Sequence, residues 1–185
     1  DSLTKSNNNH LNSKSIGISR SLLSNTYFPL FYNFFNSLEL NIIIGDINSP
    51  KGVEKKSAPF CFPVEIAHGF FQDLIDKNPD YFFIPHIQES FKGEDSFYNR
   101  TCVLVQSEAY YLRASFKKEL ENKKILSPVF NFSSDISSIE LEFQKLSISL
   151  GFDKTKSQKA FARAISSFYD INSKIKKLGN DALAN

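Results

Sequence analysis

The amino-acid sequence predicts an α/β fold: a three-layer, mainly parallel, doubly wound (Rossmann-like) sheet with two additional C-terminal helices. Two observations lead to this fold class. Short apolar runs, typical of buried strands, alternate with segments whose apolar residues recur every three or four positions, as on one face of a helix. This alternation repeats about four times, and two consecutive helical patterns then end the chain.

The first strand–helix unit begins with a short apolar run at residues 15–18. Apolar residues with the spacing of a helix face follow: Phe31, Phe34, Phe35 and Leu38. Pro29 suits the first turn of that helix, because its missing N–H would have no partner there. Residues 41–45 form a continuous apolar run ending in glycine, which predicts a parallel strand buried on both faces. A polar loop is expected at 48–57.

The second unit begins at a probable helix entrance, Cys61, with Pro63 in the first turn. The apolar face of this helix comprises Val64, Ala67, Phe71, Leu74 and Ile75. The sequence Asn-Pro-Asp at 78–80 should end it. Another buried strand is predicted at 81–84, directly before Pro85 and His86.

The remaining pattern contains a strand at 101–106 and a helix that begins at Glu108. The helix presents a stripe of Ala109, Leu112, Phe116 and Leu120. Residues 126–132 form a weak strand, since Pro128 interrupts it.

Two helices close the chain. The first runs from about Ile136 to Leu150 and ends at Gly151. The second runs over about 155–178, with Asp153 as its N-cap and Gly179 as its stop signal.

Composition and charge restrict the functional classes. The net charge of +2 provides no electrostatic basis for binding nucleic acid or an acidic membrane, and no apolar run is long enough to span a bilayer. Two cysteines are too few for a disulfide scaffold, so a reducing, cytoplasmic setting is expected. Because the chain contains no Met, it is expected to be a piece of a longer polypeptide.

The predicted organisation has three parts. Residues 1–14, rich in Ser, Asn and Lys, are expected to be a disordered or linker segment. Residues 15–132 should form the α/β domain, and residues 133–185 a C-terminal helical extension.

The candidate site consists of soft donor atoms next to predicted helix and strand ends. A thiolate at Cys61 would be stabilised by the free N–H groups of a helix N-terminus, although a buried, purely structural cysteine is the commoner case. His86 follows a strand at the rim where α/β proteins bind ligands, or it is a half-exposed loop histidine. Cys102 precedes its predicted strand, so a parallel strand would place it at the opposite edge of the sheet. His68 is expected to be a core histidine whose ring N–H could also orient a metal ligand.

The chemistry of this donor set indicates an incomplete metal site. Structural zinc sites usually carry CxxC-type spacing, and the sequence contains none. Two thiols and one imidazole from separate loops are compatible with an iron–sulfur cluster that has one open iron and is completed by another domain or an external ligand. A zinc-stabilised domain is a weaker alternative.

Five short segments, in this order, resemble the central region of large CoA-substrate-specific activases, which are fused relatives of the 2-hydroxyacyl-CoA dehydratase system. The segments are Gly-Ile-Ser-Arg at 17–20, Tyr-Phe-Pro-Leu-Phe at 27–31, Cys-Phe-Pro at 61–63 with His-Gly at 68–69, Asp-Tyr-Phe-Phe-Ile-Pro-His at 80–86, and Tyr-Asn-Arg-Thr-Cys at 98–102. The resemblance covers about residues 15–115.

The resemblance implies positions as well as a function. Cys61 matches the first family cysteine, Cys102 matches the cysteine of the Tyr-Asn-Cys motif, and His86 stands where the family usually has Cys. Ser19 replaces a family proline, and the dipeptide at 100–101 intrudes before Cys102. In that system an ATP-hydrolysing activase passes one electron to a dehydratase that carries cysteine-bound [4Fe–4S] clusters and removes water from a 2-hydroxyacyl-CoA.

The implied function is therefore a dehydratase-like, cluster-binding domain rather than the ATPase. Its expected partners are the remaining domains of the same polypeptide, including an ATPase module, and an acyl-CoA. The isolated piece should be catalytically inert. The alternative is a structural or docking module that has lost its cluster, since an imidazole at position 86 either binds iron or marks a lost ligand.

Overall fold

The structure is a computed structural model that describes residues 14–56, 61–92 and 98–184. The predicted linker at 1–14 therefore lies outside the described residues except for Lys14. Pro59 and Phe60, which precede Cys61, also lie outside them.

The described part contains six strands and eight helices. In chain order the strands are β1 (Ser15–Ser19), β2 (Asn41–Gly45), β3 (Tyr81–Phe83), β4 (His86–Glu89), β5 (Lys124–Leu126) and β6 (Val129–Asn131). The helices are α1 (Leu22–Thr26), α2 (Phe28–Ser37), α3 (Pro50–Val53), α4 (Phe62–Lys77), α5 (Val103–Gln106), α6 (Glu108–Ser115), α7 (Ile136–Ser149) and α8 (Lys154–Leu183). None of these helices combines the length and the hydropathy that crossing a membrane requires.

The main sheet is parallel throughout, in the order β2-β1-β3-β5. Ile16 of β1 lies beside Ile42 on one side and Tyr81 on the other. The chain thus builds outward from β1 to β2 and then returns to the opposite side of β1. This reversal of strand order makes the carboxyl ends of β1 and β3 a topological switch point, where open α/β sheets bind ligands.

Two prolines separate this sheet from a smaller one. Pro85 follows β3 and Pro128 follows β5, and neither can donate a hydrogen bond to a neighbouring strand. The chain then pairs again as the parallel strands β4 and β6. The backbone N–H of His86 donates to the carbonyl of Pro128 at 2.8 Å, which joins the two sheets. The predicted interruption at Pro128 is confirmed.

Side chains of alternate strand residues fill two separate cores, which confirms the three-layer arrangement. Ile18 and Phe83 point toward α2, whereas Phe82 points toward α4 and α6. The α2 side is the larger core, and α7 and α8 pack into it as well. Phenyl rings dominate its buried volume: Phe31, Phe34, Phe35, Phe130, Phe132 and Phe143.

The C-terminal helices differ from prediction in one respect. Asp153 is the N-cap of α8 as predicted, and its carboxylate accepts from the backbone N–H of Lys156 at 2.8 Å. Gly151 ends the preceding helix with a φ of +94°. Gly179, however, does not end α8, which continues to Leu183. Glycine stops a helix only where the backbone turns left-handed, and Gly179 stays in helical conformation.

Three other sequence interpretations were wrong. The segment predicted as a strand at 101–106 contains α5, because the carbonyl of Cys102 accepts from the N–H groups of Val105 and Gln106 in a helical turn. A four-residue apolar run is too short for its periodicity to distinguish strand from helix. The polar loop at 48–57 contains α3. β2 is only half-buried because it is an edge strand.

Two further differences concern helices. The short helix α1 lies between β1 and α2, where no element was predicted. The helix that begins at Glu108 ends at Ser115, although Phe116 and Leu120 beyond it remain buried in the second core.

Two glycines are expected to respond in opposite ways to the same substitution. A Cβ at Gly17 would lie 2.6 Å from the ring of Pro79 and 2.8 Å from Leu74, so Gly17→Ala should lower the free energy of unfolding by about 1–3 kcal/mol through overpacking. A Cβ at Gly179 would meet no atom within 4 Å, so Gly179→Ala should raise it by ~0.5–1 kcal/mol by favouring the helix. Urea unfolding of both variants measures the two changes. Equal effects of the two substitutions would contradict the close approach of α4 to β1.

Candidate functional site

The carboxyl ends of β1 and β3 carry a group of buried polar side chains. β1 ends at Ser19, and two residues later Ser21 is buried as well. β3 is followed by Pro85 and by His86, which is also buried. The polar rim of the sheet therefore lies at the switch point, where the sequence analysis placed functional atoms.

A buried carboxyl group closes this rim. Glu108, the first residue of α6, accepts a hydrogen bond from the hydroxyl of Ser21 at 2.5 Å, and the hydroxyl of Ser19 lies 3.0 Å from that of Ser21. Burial raises the pKa of Glu108 to about 7, although the Ser21 hydrogen bond lowers it in part. In the part of the chain that the structure describes, no Lys or Arg pairs with this carboxyl group. Glu108 therefore loses its proton near neutral pH rather than in the acidic range of an ordinary carboxyl group.

Tyr111 lies one helical turn after Glu108. Its ring stacks on the His68 ring with centroids 5.3 Å apart, and its buried hydroxyl has no hydrogen-bond partner among the described residues. Burial raises the pKa of Tyr111, and the negative charges available to Glu108, Cys61 and Cys102 raise it further. The carboxyl group and both thiols thus act on the pKa of one buried hydroxyl group.

Cys61 is the N-cap of α4, as predicted. Its carbonyl accepts from the N–H of Val64 at 3.0 Å and of Glu65 at 3.1 Å, and Pro63 lies in the first turn of the helix. The thiol is partly exposed and makes no capping hydrogen bond. It therefore lies at the positive end of a sixteen-residue helix and remains accessible.

Cys102 precedes a helix rather than a strand. The expectation that a parallel strand would place it at the opposite edge of the sheet therefore loses its premise, because the chain forms α5 there. Cys102 is the exposed N-cap of α5, and negative charge at Cys61 and at Cys102 contributes to the raised pKa of Tyr111. Whether the two thiols share a site stays a prediction.

His86 is fixed by α5 through one ring nitrogen. Its Nδ1 lies 2.8 Å from the carbonyl oxygen of Gln106, which can only accept, so Nδ1 carries the proton. The ring contacts that of Tyr110, with centroids 4.7 Å apart. His86 is buried rather than a half-exposed loop residue, and its Nε2 is the nitrogen left for a ligand.

His68 has partners for both ring nitrogens. Nδ1 donates to the carbonyl of Val64 at 2.8 Å, and Nε2 lies 3.0 Å from the hydroxyl of Ser115. Burial lowers the pKa of His68, so the ring is neutral and Nε2 accepts from Ser115. This is the predicted core arrangement; the role of His68 in orienting a metal ligand stays a prediction.

The described residues do not assemble a complete metal site. Within residues 14–56, 61–92 and 98–184, no three His, Cys, Asp or Glu side chains are grouped closely enough to hold a metal ion. Cys61, His86 and Cys102 lie around α5 and Tyr111 without forming such a group. Their roles as ligands stay predictions.

Sequence reasoning missed Glu108, Ser21 and Tyr111 as site residues. In the sequence, Glu108 has the pattern of an ordinary acidic residue in the first turn of a helix, where the helix dipole favours a carboxylate. A signal was present in the two serines that follow β1, since short polar residues at the carboxyl end of a switch-point strand are typical ligand-binding positions. Burial of a carboxyl group, by contrast, depends on tertiary packing.

Comparison with known proteins identifies one family. The family model described as CoA enzyme activase uncharacterised domain matches residues 15–185. The match thus includes the C-terminal helices as well as the sheet, beyond the residues 15–115 that carry the motif resemblance. Comparison with curated proteins and with solved structures finds no match.

Glu108 should make stability depend on pH in a defined direction. Its pKa is 4.5 in ordinary surroundings and about 7 in the folded chain, so the folded state binds more protons between these values. Stability should therefore fall as pH rises from 5 to 8, on the order of 2–3 kcal/mol from this group alone. Glu108→Gln should remove that fall and make the variant the more stable protein at pH 8.

Urea unfolding of both proteins at pH 5 and pH 8 measures this difference. Glu121→Gln, at an exposed position, controls for the loss of a carboxylate and should follow the wild-type chain. An equal pH dependence in the wild-type chain and in Glu108→Gln would show that the carboxyl group is hydrated in solution.

Proposed function

Because the chain belongs to the CoA enzyme activase uncharacterised domain family, we propose that it is the dehydratase-like part of a multidomain CoA-substrate-specific activase. In this proposal Cys61 and Cys102 supply thiolates to an iron–sulfur cluster that serves electron transfer. The observation that supports it is that each thiol caps the N-terminus of a helix and is at least partly exposed, and that charge at both raises the pKa of the same side chain, Tyr111.

The local environment of the thiols supports a ligand role. Cys61 lies at a helix N-terminus, where the backbone N–H groups of the first turn are free to face a bound group. Both cysteines are free and at least partly exposed, so neither is a packed core atom. The buried hydroxyl of Tyr111 lacks a described partner and would provide a donor for a group that the described chain does not contain.

The donor set fits a cluster in part. Two thiols and the Nε2 atom of His86 are the soft donors that the described rim offers, whereas a [4Fe–4S] cluster is usually held by four thiolates. The remaining ligands would come from another domain of the same polypeptide or from an external ligand. When bound, such a cluster supplies one-electron chemistry at a potential that an imidazole ligand raises.

A cluster-binding domain of this kind acts together with partner domains and a substrate. We propose that an ATPase module of the same polypeptide delivers the electron and that an acyl-CoA is the compound acted on. The rim residues Ser21 and Glu108 would then form the buried polar floor beneath the cluster ligands. Without its partner domains the chain should be catalytically inert.

A second function is favoured by one observation. Within the described residues, no three donor side chains are grouped closely enough to hold a metal ion. The same structure would serve a docking module that keeps the scaffold of its family and has lost the cluster. Iron binding separates the two functions.

The test is anaerobic reconstitution of the purified chain with ferrous iron and sulfide, followed by desalting. The proposal expects retained iron and sulfide, a broad visible charge-transfer absorption, and an EPR signal after reduction. Cys61→Ala and Cys102→Ala should each reduce the retained iron at least about tenfold, since each removes a thiolate ligand.

Ser115→Ala is the matched control, because it removes only the hydroxyl that His68 accepts from. It should retain iron like the wild-type chain. His86→Ala reports whether the imidazole is a ligand, through a change in the EPR signal. Two results would leave the docking module as the function. One is that both cysteine variants retain iron like the wild-type chain, and the other is that the wild-type chain retains no iron.

A further inference from the structure

Arg20 lies at the switch point and has no part in the proposed cluster. It directly follows β1, and its backbone N–H donates to the carbonyl of Gly45, the last residue of β2, at 2.9 Å. Its side chain is exposed, whereas those of Ser19 and Ser21 on either side of it are buried. The guanidinium group therefore faces solvent at the carboxyl edge of the sheet, where open α/β sheets bind ligands.

The guanidinium group of Arg20 is restrained although it is exposed. Its Nε donates to the side-chain oxygen Oδ1 of Asn25 at 3.0 Å, and its Cζ lies 5.1 Å from the centroid of the Phe28 ring. A free arginine side chain at a surface has many rotamers, and ordering it costs conformational entropy. The two contacts therefore reduce the entropy cost of binding a ligand through this group.

No acidic side chain among the described residues forms an ion pair with Arg20. The buried Glu108 accepts its hydrogen bond from Ser21, the residue after Arg20. Asp46, which follows β2, lies 3.6 Å from the ammonium group of Lys77. The positive charge of Arg20 is thus left for an anion from outside the described chain.

The position of Arg20 is unfavourable for a cation that serves stability alone. Phe28, over whose ring the guanidinium group lies, is the first residue of the ten-residue helix α2. The N-terminus of a helix carries partial positive charge, which disfavours a cation and favours an anion. An anion bound to Arg20 would be attracted by both charges.

We propose that Arg20 binds a phosphate group of the acyl-CoA. Because Nε is bound to Asn25, the two Nη groups are left to donate in parallel to two oxygens of one phosphate. A carboxylate would fit the same pair of donors, but a CoA thioester carries its negative charges chiefly on phosphates. This assignment rests on the proposed function, to which it adds a binding residue for the phosphorylated end of the substrate.

Isothermal titration calorimetry of the purified chain with two thioesters tests the proposal. Acetyl-CoA carries the phosphates, and S-acetylpantetheine has the same reactive end without them. Arg20→Ala should weaken acetyl-CoA binding at least about tenfold, because charge-assisted hydrogen bonds are lost, and should leave S-acetylpantetheine binding unchanged. Arg163→Ala, which removes an exposed arginine of α8, is the matched control and should bind acetyl-CoA like the wild-type chain.

Asn25→Asp distinguishes phosphate binding from a structural role of Arg20. The new carboxylate would stand where Nε now donates, so the contact that holds the side chain becomes an ion pair and the guanidinium charge is neutralised. If Arg20 binds phosphate, this variant should also weaken acetyl-CoA binding at least about tenfold. If Arg20 only supports the turn after β1, the variant should bind acetyl-CoA like the wild-type chain. Circular dichroism establishes that each variant is folded.

Three results would overturn the inference. They are no acetyl-CoA binding by the wild-type chain, an equal loss of both thioesters in Arg20→Ala, and unchanged acetyl-CoA binding in Asn25→Asp. Iron retained after anaerobic reconstitution separates this inference from the proposed function, since Arg20 supplies no cluster ligand and Arg20→Ala should retain iron like the wild-type chain. Retained iron without acetyl-CoA binding would therefore refute the role of Arg20 alone.

Discussion

The position of β1 between β2 and β3 determines what the rest of the molecule can do. Because the chain builds to one side of β1 and then to the other, the loops that leave β1 and β3 diverge and open the carboxyl edge of the sheet. That position requires α4 to lie close over β1, and Gly17 makes the approach possible, since a side chain there would meet Pro79 and Leu74. The same approach brings the N-terminus of α4, and Cys61 with it, to the open edge. The close packing of α4 on the middle of β1 therefore also determines where the thiol of Cys61 lies at the end of that strand.

The buried polar groups of the rim lower the free energy of unfolding. Glu108 is buried without a described cationic partner and accepts one hydrogen bond from Ser21, and the hydroxyl of Tyr111 is buried with no described acceptor. Buried polar groups in proteins are normally paired, and each unpaired one costs about 1–3 kcal/mol. The phenyl-rich core on the α2 side provides the apolar burial that can offset such costs. Buried atoms of Gln72, Ser127 and Ser147 also lack a described partner, so the unpaired hydroxyl of Tyr111 does not by itself mark the rim as a ligand site.

Local patterns in the sequence predicted the parts of the fold that local physics determines. The apolar runs at β1 and β3, Pro29 and Pro63 in first helical turns, and the cap at Asp153 depend on neighbouring residues, and the structure confirms them. The segment that forms α5 failed because four residues satisfy either period. That error also affected the site, since the argument about the edge of the sheet at which Cys102 lies assumed a strand there. Glu108 and Tyr111 could not be identified for a different reason. The carboxyl group of Glu108 is buried against the loop after β1 and the ring of Tyr111 packs on His68 of α4, and both contacts depend on tertiary packing.

α8 and the candidate site lie on different sides of the main sheet. The buried half of α8 packs on the α2 side, whereas Cys61 and Glu108 begin helices α4 and α6 on the other side. The buried side chains of α8 belong to the phenyl-rich core and include no donor atom of the rim. A group that binds at the rim would therefore leave the packing of the C-terminal helices unchanged.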